Sequence, residues 1–237
     1  MHTAIEFIQI NWLNFFAIFW FLLNFNGYMY YARSKSFNAP SLASTLHSHR
    51  LDWMLRMMRR EMRMADTAAI ANLERSVAFF ASTTMLILAG LITVLGSTEK
   101  AIDLIDSLPF SIIASRAEWD VKILVLIFVM VYAFFKFTWS LRQYGFVTIM
   151  VGAAPAPSEE LPDNERNALA EKMASMASMA ANNFNIGLRT YYFSIAILTW
   201  FISPWGFIAS SSFIVFILYR REFKSSTLKV LTKNRFL

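Results

Sequence analysis

The residues with the most chemical capacity sit in one run, HSHRLDWMLRMMRREMRM, residues 47–64. Leu51, Met54, Leu55, Met58 and Met62 recur at helical spacing and form one stripe. Arg56, Arg59, Arg60 and Arg63 fall largely on the other side, and Arg50 and Trp53 flank them. The pattern predicts a basic amphipathic helix over residues 44–66. Such a helix can lie in a lipid headgroup layer, its guanidiniums meeting anionic phosphates in forked pairs while Leu and Met dip into acyl chains. The plainer reading is a basic cytoplasmic flank that rests on the membrane or packs on its own protein. Nucleic acid is not an expected partner, because nothing beyond charge points to it.

His47, His49 and Asp52 invite a metal reading. Residues two apart on a helix point about 200° apart, so the two imidazoles cannot share one ion there. Two ligands do not make a site, and no metal is expected. The chain has no Cys, which removes disulfides and thiolate chemistry. Gly-rich phosphate loops, metalloprotease helices and nucleophile elbows are absent from the sequence, so no catalytic residue and no cofactor are expected.

Polar residues inside apolar runs say more, because lipid penalises them. Asn11 and Asn14 are three apart in the first run and share a helix face. Lys136 lies well inside the third run, where its stem can snorkel, pair with an acid or line a polar path. Glu74, at the entry of the second run, is the first acid to test as such a partner. Arg142 follows Lys136 near the end of the same run. Small residues (Ala81–Thr84 and Ser210–Ser212) predict close helix approach. Met173, Met176 and Met179 form a stripe suited to a core or to a neighbouring subunit.

The elements that hold these residues are membrane-spanning helices. The residues are 57% hydrophobic and the mean hydropathy is +0.44. The apolar residues cluster in runs long enough for a bilayer core of roughly 30 Å. Spans are expected at about residues 7–31, 77–96, 119–145 and 184–219, within one membrane-embedded domain. Lipid supplies no hydrogen bonds, so each must be a helix. The amino terminus lacks the basic region of a signal peptide, and the first span is expected to be retained.

Lys and Arg counts set the orientation. Residues 33–76 carry eight basic residues, whereas 97–120 carry two against five acids. The first loop is therefore expected in the cytoplasm and the amino terminus outside. Residues 152–183 are also placed in the cytoplasm. The tail after Tyr219 holds six basic residues and one acid, so residues 220–237 also belong inside. That requires the last apolar stretch to cross twice, broken at residues 203–206 (SPWG). One long, tilted, Pro-kinked helix is the alternative, and it would strand the tail outside.

Three runs carry a family resemblance: LERSVAFFASTTMLILAGL (73–91), FKFTWSLRQYGFVTIMVGAAP (135–155) and the ending LRTYYF…SPWGF…LYRREFKS (188–225). Together with the basic segment they resemble the uncharacterised membrane-protein family called domain of unknown function 599. The resemblance implies a small integral protein of bacterial inner membranes, and it brings no assigned substrate or site. The fold expected is an all-α integral membrane protein with four or five transmembrane helices and a basic amphipathic cytoplasmic helix. The leading functional expectation is a non-enzymatic membrane protein acting by association, as a homo-oligomer or an accessory subunit of a membrane complex. The alternatives are a channel or transporter formed between subunits, lined by Asn11, Asn14, Lys136 or Arg142, and a protein binding lipid or quinone.

Overall fold

The computed structural model describes residues 2–38, 41–99, 102, 115–159 and 161–232. The side chains of 2–11, 33 and 36–38 lie outside that description. The regular structure of the described residues is helical. Helix α1 spans His2–Asn38, α2 Leu42–Met57, α3 Met64–Leu95, α4 Arg116–Gly152, α5 Asp163–Trp200, α6 Pro204–Phe223 and α7 Ser226–Thr232. Helices α3 and α4 are each long and apolar enough to cross a membrane.

Local sequence sets the boundaries. Ser41 opens α2 and Ser115 opens α4, each through a reciprocal capping box with the residue three positions on. Pro40 lies outside the described residues. Helix α5 ends at Trp200, and Pro204 occupies the first position of α6, where its missing N–H costs nothing. The chain therefore turns back at 201–203. The two helices run antiparallel: the Thr199 and Ser210 hydroxyls meet at 2.8 Å, and Arg221 donates to the Tyr192 hydroxyl at 2.7 Å. Helix α5 is one continuous element, although its first half is Ala- and Ser-rich and its second half apolar.

The basic helix expected over 44–66 is two pieces. Helix α2 stops at Met57, and residues 58–63 turn before α3 begins. The reason is hydrogen bonding in that turn. Arg60 donates to the Asp66 carboxylate at 2.6 Å, and Trp53 donates to the same oxygen at 2.7 Å. Arg63 donates to the carbonyls of Val151, Ala154 and Pro155 at the end of α4. A continuous helix could not bring both guanidiniums to these partners. Of the expected stripe, Met54 and Met58 face protein and are buried, together with Met57, against Val147, Val151 and Met173, whereas Met62 in the turn is exposed.

Helix α5 is the axle. It packs along α4, α2 and α6 and reaches α3 and α1 through side chains. Its contact face is small: Ala170, Ala174, Ala177, Ala180 and Gly187 are all buried. Ser140 of α4 donates to the Ala180 carbonyl at 2.7 Å. At Gly187 a Cβ would lie 2.7 Å from Phe137 Cζ, and Phe137 is itself fully buried. Around this point Phe80, Phe137, Phe184 and Tyr191 form a ring cluster with centroids 5.4–6.0 Å apart. A second aromatic group, Phe21, Phe25, Phe193 and Phe207, fastens α1 to α5 and α6.

Gly187→Ala is expected to destabilise the detergent-solubilised protein by about 1–3 kcal/mol through overpacking, read as a lowered thermal midpoint. The same change at Gly90, where an added Cβ meets nothing within 4 Å, should leave the midpoint unchanged or raised.

Candidate functional site

The candidate site is a groove where α1, α2, α5 and α6 meet. Its volume is about 740 Å³, within the roughly 300–1,000 Å³ usual for small-molecule sites. Arg50, Arg189 and Glu222 supply its charges, Asn26, Asn182 and Asn185 part of its polar rim, and Met29, Leu46 and Ile186 part of its apolar wall.

Glu222 organises one end. Its Oε2 accepts from Arg189 at 3.2 Å, and its Oε1 accepts from the backbone N–H of Ala43, in the first turn of α2, at 3.2 Å. One carboxylate thus ties α6 to α5 and satisfies an otherwise orphan donor at a positive helix end. Both partners of the ion pair are mostly buried, 14% and 11% exposed. Arg189 also lies over the Tyr28 ring, 5.5 Å from its centre. The buried Tyr28 hydroxyl has no hydrogen-bond partner among the described residues.

Arg50 stands at the other end. It donates to the Ser178 hydroxyl at 3.3 Å, and no carboxylate among the described residues pairs with it. Burial pushes its guanidinium below the ordinary value, and the nearby Tyr144 opposes that shift. An arginine nevertheless keeps its charge at neutral pH. Among the described residues the groove therefore holds two cations and one anion.

The other arginines of the basic run divide into two groups. Arg60 and Arg63 are committed to Asp66 and to the α4 carbonyls. Arg56 and Arg59 are exposed, and Arg59 lines a smaller cavity of about 210 Å³ beside Pro155 and Arg166. His47 bonds Ser178 at 3.0 Å and approaches Glu171 at 3.4 Å, which docks α2 on α5. No group of three metal-ligating side chains occurs among the described residues.

The polar residues of the apolar runs are mostly internal fasteners. Asn14 accepts from the Trp200 indole at 2.8 Å; the Asn11 side chain lies outside the described residues. Lys136 sits over the Tyr132 ring at 5.3 Å, and Arg142 is exposed beside Phe146. Glu74 accepts from the Thr148 hydroxyl at 2.9 Å and does not pair with Lys136. Neither cavity is lined by Asn14, Lys136 or Arg142.

Sequence reading missed four polar side chains that tie the helices together. Lys122 is buried, donates to the Trp200 carbonyl at 3.1 Å and so caps the end of α5. Asp66 is buried beneath Trp53 and Arg60. Arg189 and Glu222 are 33 residues apart and meet only through the α5–α6 turn. A signal existed for this last pair: Glu222 is the one acid in a basic tail, and Arg189 is the base that opens an apolar run.

Comparison with known proteins gives one match. The family described as "Protein of unknown function, DUF599" covers residues 16–227. This chain belongs to that family. No curated protein and no solved structure matches the chain. Within this DUF599 protein, the groove combines residues of the first family-covered helix, Asn26 and Tyr30, with Glu222 near the end of the matched region.

Asp66→Ala is expected to leave Trp53 and Arg60 without their acceptor and to cost about 1–3 kcal/mol. Arg56→Gln should change the thermal midpoint little, because its side chain is exposed. Equal effects of the two changes on thermal unfolding would contradict the division between structural and free arginines.

Proposed function

We propose that this protein is an integral membrane protein with five crossings that acts by association, holding a membrane component rather than transforming it. Support for the membrane placement comes from an inverted distribution of side chains. Only 22% of the most apolar stretch of α3 and 33% of that of α4 is buried. Phe79, Leu86, Phe128, Phe135 and Phe213 point outward, each more than half exposed. Ser140, Thr84, Thr190 and Ser211 are buried and bonded between or within helices. Water would favour the opposite arrangement, and lipid favours this one.

Two aromatic belts agree with that placement. Trp12 in the first half of α1, Trp119 at the start of α4, and Trp200 and Trp205 on either side of the α5–α6 turn mark one end; Trp119 meets Phe201 edge-on at 4.9 Å. Tyr30, Tyr31, Tyr192 and Tyr219 mark the other end, where Lys35 donates to the Tyr31 hydroxyl at 2.8 Å and to the Tyr219 hydroxyl at 3.3 Å. The basic residues of α2, the 58–63 turn and the α6 end lie on this second side, so it is assigned to the cytoplasm of a bacterial inner membrane, with the amino terminus outside. The reading makes the α5–α6 turn an outside hairpin and returns the basic tail inside.

The chain is free of Cys, so single-Cys labelling tests this cleanly. In intact cells a membrane-impermeant maleimide should label Ser97→Cys and Ser203→Cys. Ser158→Cys and Ser226→Cys should react only after permeabilisation. Labelling of Ser226→Cys from outside would overturn the five-span reading.

A further inference from the structure

The groove points to a particular ligand chemistry. Its charges do not cancel: Glu222 answers Arg189, and Arg50 meets only the Ser178 hydroxyl among the described residues. A half-buried guanidinium without a counter-charge is partly desolvated at a cost, and a bound anion offsets that cost. One surplus positive charge calls for one negative charge. The planar fork of Arg50 suits a phosphate oxygen pair.

Position narrows the source of that phosphate. The groove lies where the apolar runs end: Asn26 and Tyr30 stand in the last turns of the first run, Arg189 just before Tyr191, and Glu222 just after Tyr219. This is the border between acyl chains and headgroups on the basic side of the protein. The wall offers both kinds of surface, with Met29, Leu46 and Ile186 for chains and the Asn182 and Asn185 amides for a hydroxyl-bearing headgroup.

We infer that this groove binds the phosphodiester headgroup of an anionic phospholipid of the cytoplasmic leaflet, with Arg50 as its charged ligand. The inference rests on the membrane placement proposed above. Glu222 sets the selectivity. It leaves room for one negative charge, and its partner Arg189, together with Arg50, disfavours headgroups that carry an ammonium. Arg60 and Arg63 of the 58–63 turn are not the contact, since both are already bonded within the protein, and Arg59 lines the other cavity.

Native mass spectrometry of the full chain, delipidated in detergent and mixed with defined lipids, tests this. Phosphatidylglycerol is expected to stay bound at least about tenfold better than phosphatidylcholine. Arg50→Gln should bring the two to parity. Arg56→Gln should not alter the preference, and Glu222→Gln, which adds one net positive charge to the groove, should strengthen phosphatidylglycerol retention several-fold. Circular dichroism and the thermal midpoint of each variant establish that it is folded. Should Arg50→Gln misfold, the Glu222→Gln result decides alone: weakened or unchanged retention overturns the inference. A preference that survives Arg50→Gln also overturns it. Displacement of phosphatidylglycerol by millimolar inorganic phosphate would assign the site to a soluble anion and overturn the lipid source. The labelling experiment fails independently of all these arms, so an error in membrane placement is told apart from an error in ligand.

Discussion

The close approach of α5 to α4 holds this molecule together. Ala and Gly along one face of α5 let the two backbones come near, and Phe137 fills the space that Gly187 leaves open. In lipid, apolar burial gives little drive for helix association, so packing contact and interhelical hydrogen bonds must supply it. Here both act along the same pair. Ser140 reaches the Ala180 carbonyl, and Asn183 donates to the Gln143 side chain at 2.8 Å. The far end is closed by Lys122 on the Trp200 carbonyl.

Everything else is arranged around that axle. Helix α3 joins it through Thr84 and Tyr191, whose hydroxyls lie 2.5 Å apart. Helix α1 joins through Asn14 and Trp200, and it meets α6 through Trp20, which donates to Ser212 at 2.9 Å. The first half of α5 extends beyond the apolar zone and carries α2 along its side. That extension creates the groove, since α2 lies on α5 from one direction and the packed α1–α6 pair from another, and α2 barely touches that pair. The groove is therefore a by-product of one helix extending beyond the apolar run of its partners.

The sequence made the helices legible because long apolar runs, capping serines and Pro204 are local signals. A break in the last apolar stretch was readable from the proline and from the charge of the tail; expected at 203–206, it lies at 201–203, because Pro204 begins the next helix. The small-residue faces were readable too: Thr84, Ser210 and Ser212 each bond a residue of another helix. What stayed hidden depends on distant partners. The turn at 58–63 follows from Asp66 and the α4 carbonyls, and local helix propensity alone favours continuing α2 through it. The ion pair of Arg189 with Glu222 needs the α5–α6 turn before the two residues become neighbours. Lys136 stood out in sequence yet rests on an aromatic ring, while Lys122, just inside the same helix, is the lysine that is buried. Charge inside an apolar run signals constraint, but which face it occupies is decided by neighbours.

The central claim is that the apolar side chains on the outside of the bundle meet acyl chains. Its most direct measure is the collision accessibility of nitroxide spin labels placed singly at Phe79, Phe128, Phe135 and Phe213 in liposomes. The account predicts that dissolved oxygen relaxes these labels efficiently while a water-soluble nickel chelate does not. Ready relaxation by the nickel chelate at these positions would show that they face water or aqueous cavities, and would contradict it.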